Sequence, residues 1–315
     1  MWKVCRKELA DHFNSTRFLL LFCLVFMVAL VSTYMAAENV HKALQGNTKP
    51  SQVFLMLFTT PGKFFSLVQF VAFFGPLLGI IMGFDAINRE RQLRTLGKLL
   101  SQPIYRDAVV NGKFIAGVIT ITIVLASLLL LLSGMGLVIL GVVPGPEEIA
   151  RLAVYLLISI AYVAFWLGLA VLFSIFFRSL ATSALASVAI WIFFSFFMGF
   201  LADLAADAIR PVYSTRDLRA VVANERLAHS ISLISPAVLY AEATGAILDP
   251  FQRSTSRLLL VTPLEGLSLE RFQGPLPLDQ SVFLVWPHVV LLIALTLICF
   301  GIAYVTFLRQ EIRTL

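Results

Sequence analysis

The sequence predicts an all-α membrane protein with six transmembrane helices. Of its 315 residues, 59% are hydrophobic and 13% are charged, whereas soluble domains carry about 25% charged residues. Six apolar runs are each long enough to cross a bilayer, which takes about 20 residues. They cover residues 18–36, 64–84, 114–143, 152–177, 180–202 and 285–308, within a single transmembrane domain over residues 1–315.

The distribution of lysine and arginine predicts the orientation of these helices. With the amino terminus inside, thirteen lysines and arginines fall on the cytoplasmic side and four fall in the short outer loops. Cytoplasmic loops of plasma-membrane proteins carry such an excess, so both termini are expected in the cytoplasm. This orientation also accounts for the net charge of +6 without a nucleic-acid partner.

Two segments outside the apolar runs are predicted to have structure of their own. Residues 1–16 place Trp2 and Phe13 on one helix face, with Cys5 and Leu9 between them, which indicates an interfacial helix on membrane lipids. Residues 203–284 form a long extracytoplasmic segment, with surface helices expected at residues 218–234 and 237–248. Loops of this length are usually functional, but a solvated cap is an equal alternative.

Two sets of residues within the runs are candidates for function. Small residues at spacing four let helix backbones approach closely in lipid, either within the chain or at a subunit interface or hinge. Aromatic rings can line a cavity for an amphipathic substrate or can face lipid. The helix-packing set is Gly75, Gly79 and Gly83, and the substrate-pathway set is Phe70, Phe73, Phe74, Phe193, Phe194 and Phe197.

No catalytic residue, metal site or bound cofactor is predicted. The run interiors contain essentially no ionisable residue, which argues against a proton- or sodium-driven carrier. The cysteines are far apart and the histidines are scattered, so the histidines are expected at boundaries or on the surface. These residues are Cys5, Cys23, Cys299, His12, His41, His229 and His288. A Walker A motif is absent, so ATP and Mg²⁺ would be bound by another chain, and this chain is not expected to be an enzyme.

The charged segment between the second and third runs carries the most specific pattern. Its elements are Glu90-Arg91, Thr95-Leu96, Leu99-Leu100-Ser101, Pro103, Arg106 and Gly112-Lys113. This order resembles the ABC-2 type permeases, which are membrane subunits of ABC transporters, except that Arg94 stands where the family usually has glycine. Ser235-Pro236 followed by Tyr240 resembles a second element of the same family.

The resemblance implies a permease that pairs with a second copy or a homologue and with cytoplasmic ABC ATPase subunits. Residues 88–103 would be the coupling helix, with ATPase-coupling residues Glu90, Arg91, Leu93, Leu96, Leu100 and Pro103. The implied function is ATP-driven export of an amphipathic, lipidic or drug-like substrate. The alternative is a relay subunit that transmits ATPase work to an extracytoplasmic partner, for example in metal-site maturation, without moving a bulk substrate.

Overall fold

The computed structural model describes residues 1–44, 53–59, 66–93, 105–212, 217–250 and 275–309, and every regular element in these ranges is helical. The all-α prediction is therefore confirmed. In chain order the helices are α1 (Trp2–Phe13), α2 (Thr16–Leu44), α3 (Val53–Thr59), α4 (Leu67–Gly83), α5 (Asn88–Gln92), α6 (Arg106–Leu140), α7 (Pro146–Phe176), α8 (Leu180–Ile192), a π-helical turn (Phe193–Phe197), α9 (Met198–Ile209), α10 (Leu218–Ser232), α11 (Pro236–Leu248) and α12 (Leu278–Arg309).

Six helical stretches are long and apolar enough to cross a membrane, as predicted. We call them spans 1 to 6: Phe18–Val40, Leu67–Gln92, Asp107–Leu140, Pro146–Phe176, Leu180–Ile209 and Leu278–Arg309. Several helices extend beyond the predicted apolar runs, since hydropathy marks only the apolar middle of a helix whose end turns are polar. Successive spans alternate in direction, so their ends define an N-terminal face, which carries α1 and α5, and an opposite face, which carries α3.

Span 4 forms the centre of the bundle. Trp166 and Tyr162 of this span are fully buried, and spans 2, 3 and 6 all pack against it. By contrast, most of the apolar surface of spans 5 and 6 points outward, with only 17% and 11% of their apolar windows buried. The outer spans therefore present apolar surface to lipid or to another chain.

The glycine stripe of span 2 lies directly against span 4. A Cβ atom at Gly79 would lie 2.7 Å from the carbonyl oxygen of Val163 and 2.9 Å from the backbone nitrogen of Leu167. Gly75 and Gly83 approach the same helix as closely. Without side chains at these positions, the two helices come close together over residues 75–83 of span 2.

The long segment before span 6 contains a helical hairpin, and one of its arms is buried. Helices α10 and α11 follow each other at an angle of 107°, and α11 packs between spans 4 and 6. Tyr240 of α11 is fully buried, and its ring stacks on Tyr162 at a centroid distance of 4.3 Å. The expectation that residues 237–248 form a surface helix is therefore wrong. A helix of 13 residues is too short to be recognised as membrane-buried from hydropathy alone.

The contact between spans 2 and 4 predicts the effect of one added methyl group. Gly79→Ala should lower the free energy of unfolding by about 1–3 kcal/mol, the usual cost of overpacking, because the methyl group would meet backbone atoms. The control is Gly134→Ala in span 3, where no atom lies within 4 Å of the Cβ position. Alanine favours helix over glycine, so this control should be neutral or stabilising. Thermal unfolding of both variants in detergent provides the measurement, and equal losses would contradict the prediction.

Candidate functional site

A buried cluster of ion pairs joins three helices at the N-terminal face. The Nζ atom of Lys113 in span 3 lies 2.8 Å from Glu8 Oε1 of α1 and 2.9 Å from Glu90 Oε1 of α5. The side chains of Lys113, Glu8 and Glu90 are only 6%, 13% and 11% exposed. Charge-assisted hydrogen bonds of this kind are stronger than neutral ones, and removing one partner leaves the others buried without compensation. The cluster therefore fixes both α1 and the start of the predicted coupling segment to span 3.

The same segment is also attached to the end of span 4. The Ser174 hydroxyl accepts hydrogen bonds from the backbone N–H groups of Ile87 and Asn88, at 2.9 and 3.1 Å. The Arg91 guanidinium donates to the carbonyl oxygen of Ile175 at 3.2 Å. The first N–H groups and the last carbonyl groups of a helix have no partner inside that helix. Here Ser174 near the end of span 4 binds N–H groups at the start of α5, and Arg91 of α5 binds a carbonyl oxygen at the end of span 4. Residues 87–91 are thus held by span 4 as well as by span 3.

The structure separates the predicted coupling residues into two groups. Glu90 and Arg91 make the contacts just described, whereas Leu93, at the end of the described segment, is 62% exposed. Leu96, Leu100, Pro103 and the unusual Arg94 lie outside the described residues. Contact of these side chains with an ATPase stays a prediction.

A cavity of about 270 Å³ lies beside the ion-pair cluster, between α1, the end of span 2 and α5. Its charged and polar lining includes Lys7, Asp11, His12, Asp85 and Arg89. Burial lowers the pKa of the His12 imidazole, which favours its neutral form. A lining of mixed charge suits a polar ligand or a polar protein surface better than an acyl chain.

The predicted pathway phenylalanines form contacts between spans 2 and 5. The Phe70 and Phe74 rings lie 4.6 Å apart, and Phe73 contacts Trp191 of span 5 at 5.2 Å. Phe193 and Phe197 are 43% and 53% exposed at the surface of the chain, and Phe194, between them, is half-buried. Of this set, Phe193 and Phe197 of span 5 therefore face outward.

These outward rings lie on the π-helical turn of span 5, where the Met198 N–H donates to the carbonyl oxygen of Phe193, five residues back. π-Helical turns disturb the regular ladder of a helix and often occur at functional sites. The Ser235 hydroxyl, at the bend of the hairpin, donates to the carbonyl oxygen of Phe194 at 2.9 Å. Sequence reasoning placed Ser235 in a family-like element but did not connect it with span 5.

Arg151 is a second buried cation that the sequence did not predict as such. It is fully buried at the start of span 4, although its position suggested a short outer loop. Its guanidinium pairs with Glu147 at 2.9 Å and donates to the carbonyl oxygen of Ile247 at 2.7 Å and to Ser281 Oγ at 3.2 Å. Arg151 therefore ties span 4 to the end of α11 and to the start of span 6.

The structure also corrects the expectations for the histidines of the carboxyl-terminal half. His288, which lies inside the sixth apolar run, is 8% exposed and contacts Glu242 of α11. His229 contacts the same carboxylate from α10. The interiors of the spans are therefore not free of ionisable groups, and these two histidines are not isolated boundary residues. His229 and His288 are 13 and 46 residues away from Glu242 in the sequence, so no local sequence pattern indicates these contacts.

The ion-pair cluster predicts a large effect for removal of its cation. Lys113→Met should lower the free energy of unfolding by about 3–5 kcal/mol, because the two largely buried carboxylates of Glu8 and Glu90 would lose the cation that they share. The control is Lys42→Met, which removes the exposed Lys42–Glu38 pair and should change stability little. Urea unfolding in detergent checks both variants. Adding Glu8→Gln and Glu90→Gln to Lys113→Met should recover part of the loss, and no recovery would contradict the electrostatic explanation.

Comparison with known proteins gives the family. A family model described as "ABC-2 family transporter protein" matches residues 2–312. Two curated relatives are each named "Probable ABC transporter permease protein NosY". The one from Stutzerimonas stutzeri is 31% identical over 115 residues, which cover 36% of this chain and 37% of the relative. The one from Pseudomonas aeruginosa is 32% identical over 115 residues, which cover 36% of this chain and 38% of the relative.

The matched region spans just over a third of each relative, while the family model spans nearly the whole chain. Six apolar spans agree with a multi-pass protein of the plasma membrane. The chain belongs to the ABC-2 family of transporter proteins.

Proposed function

We propose that this permease subunit works with a separate ABC ATPase subunit, which binds ATP and Mg²⁺, and with a second permease copy or a homologue. Together they would export an amphipathic, lipidic or drug-like substrate. The N-terminal face would lie in the cytoplasm, in line with the distribution of lysine and arginine. The segment that begins at Asn88 would receive the movement of the ATPase.

The observation that carries this proposal is the attachment of residues 87–91 to several spans at once. Glu90 is held by Lys113 of span 3, and Ile87 is held by Ser174 of span 4. A displacement of α5 would therefore move several helices together, as rigid-body switching requires. Leu93, exposed directly after this anchored segment, is suited to insert into a partner protein.

The substrate class is supported by the outward aromatic surface of span 5. Phe196 and Phe200 add to this surface, with 59% and 66% of their area exposed. If a second copy faces this surface, the aromatic rings would line a pathway that accepts apolar and aromatic groups. No contact among the described residues favours the relay role over export.

Leu93→Asp should weaken binding of the partner ATPase by about thirtyfold in Kd, which corresponds to about 2 kcal/mol for loss of an apolar anchor. The reason is that an ionised carboxylate would have to be buried at the interface. The measurement is the affinity of the purified ATPase for the permease in nanodiscs, with permease-stimulated ATP hydrolysis as a second readout.

The matched control for this variant is Val143→Asp, which places a carboxylate at an 80% exposed apolar position between spans 3 and 4, on the opposite face. It should leave both ATPase binding and ATP hydrolysis unchanged. The coupling assignment is wrong if Leu93→Asp binds the ATPase as tightly as the wild type does. It is equally wrong if Val143→Asp weakens binding to the same extent.

A further inference from the structure

Three titratable side chains form a largely buried cluster away from the proposed coupling site. Each carboxyl oxygen of Glu242 in α11 lies within hydrogen-bonding distance of a histidine. Its Oε1 lies 2.9 Å from His229 Nε2 of α10, and its Oε2 lies 3.1 Å from His288 Nε2 of span 6. The side chains of His229, Glu242 and His288 are 21%, 14% and 9% exposed. One carboxylate thus joins both arms of the hairpin to the last span.

The other polar contacts of α11 lead to different helices. At its start Ser235 donates to span 5, and in its middle the Tyr240 hydroxyl lies 3.0 Å from Ser159 Oγ of span 4. At its end the Ile247 carbonyl accepts from Arg151 of span 4. Within the described ranges, Glu242 is the side chain of the hairpin that bonds α10 and span 6 at the same time.

Stability alone does not account for this cluster. Burial of a carboxylate is costly, and well-packed apolar side chains of similar volume often stabilise a protein as well as a buried ionic group does. His288 Nδ1 is buried and has no hydrogen-bond partner among the described residues, which adds to the cost. Hydrogen bonds weaken steeply when their geometry is lost. The cluster therefore selects one position of α11, and a small displacement would break it.

We propose that Glu242 is a latch that fixes the helical hairpin against the last span. Its release lets α11 leave its place between spans 4 and 6. The role of the latch in a transport cycle rests on the proposed function. In that cycle, withdrawal of α11 opens the opposite face of the permease. Glu242 acts as a positioning residue for the hairpin.

The test is cysteine labelling of α11 in the permease without its ATPase. Ala246, which is fully buried on α11, is replaced by cysteine in a chain whose native cysteines are changed to serine. A membrane-impermeant maleimide is added to proteoliposomes made leaky, so that the reagent reaches both faces. Glu242→Leu should raise the labelling rate roughly tenfold or more, as expected for loss of a hydrogen bond to a charged group. His288→Leu, which removes the contact from the side of span 6, should raise the rate in the same way.

Two controls separate a latch from general loosening of the fold. Glu225→Leu makes the same substitution in α10, one turn before His229, and should leave the labelling rate of Ala246→Cys unchanged. A cysteine at Ala170, which is fully buried in span 4, should stay unlabelled in every variant. Unchanged labelling of Ala246→Cys in both Glu242→Leu and His288→Leu overturns the latch. An equal rise at Ala170→Cys also overturns it, because Glu242 would then only support packing.

A second arm of the experiment tests the place of the latch in the transport cycle. With the ATPase subunit and ATP added, the labelling rate of Ala246→Cys should rise in a chain that keeps Glu242. A rate that does not respond to ATP overturns the link between the latch and transport. The first arm contains no ATPase, so it tests the latch independently of the Leu93 prediction, whereas the second arm tests only the link between the latch and transport.

Discussion

The close contact between spans 2 and 4 is the constraint on which the arrangement of the N-terminal face depends. Gly75, Gly79 and Gly83 leave room for the backbone of span 4, so span 2 follows that helix towards its end. After the end of α4 the chain therefore passes beside Ser174, whose hydroxyl accepts hydrogen bonds from the backbone N–H groups of Ile87 and Asn88. From this position Glu90 contacts Lys113 at 2.9 Å. The three glycines at spacing four thus decide where the following segment, which contains Glu90, is anchored.

Span 4 is also the element that the buried polar groups hold at both ends. Ser174 and Ile175 bind residues 87–91, which follow α4, at the N-terminal face, and Arg151 binds α11 and span 6 at the opposite face. Between these ends its contacts are mainly apolar, with Trp166 completely buried. Directional bonds at the two ends fix the rotation of the helix, which apolar packing alone leaves less determined. Span 4 therefore connects the contacts of the N-terminal face with those of the opposite face.

The features that the sequence predicted are those encoded by local patterns. Apolar runs revealed the six spans, and the spacing of the glycines singled out the stripe that packs against span 4. The missed features depend on partners far away in the chain. Glu242 and His288 are 46 residues apart, and Arg151 and Ile247 are 96 residues apart. Hydropathy averages over about 19 residues, so a single buried histidine or arginine inside an apolar stretch leaves almost no signal.

The two ends of the bundle differ in how firmly they resist displacement. At the N-terminal face, α5 is bonded to spans 3 and 4, so a force on it would move these spans as a group. Movement of that group relative to span 6 would strain the contacts of Arg151 with Ser281 and Leu276 and the contact of Glu242 with His288. Arg151 would keep Glu147 and the Ile247 carbonyl if it lost the first two. If His288 separated from Glu242, Glu242 would keep His229, but neither ring nitrogen of the largely buried His288 would have a hydrogen-bond partner among the described residues. The hairpin would therefore respond to a displacement that starts at α5, at the opposite end of the bundle.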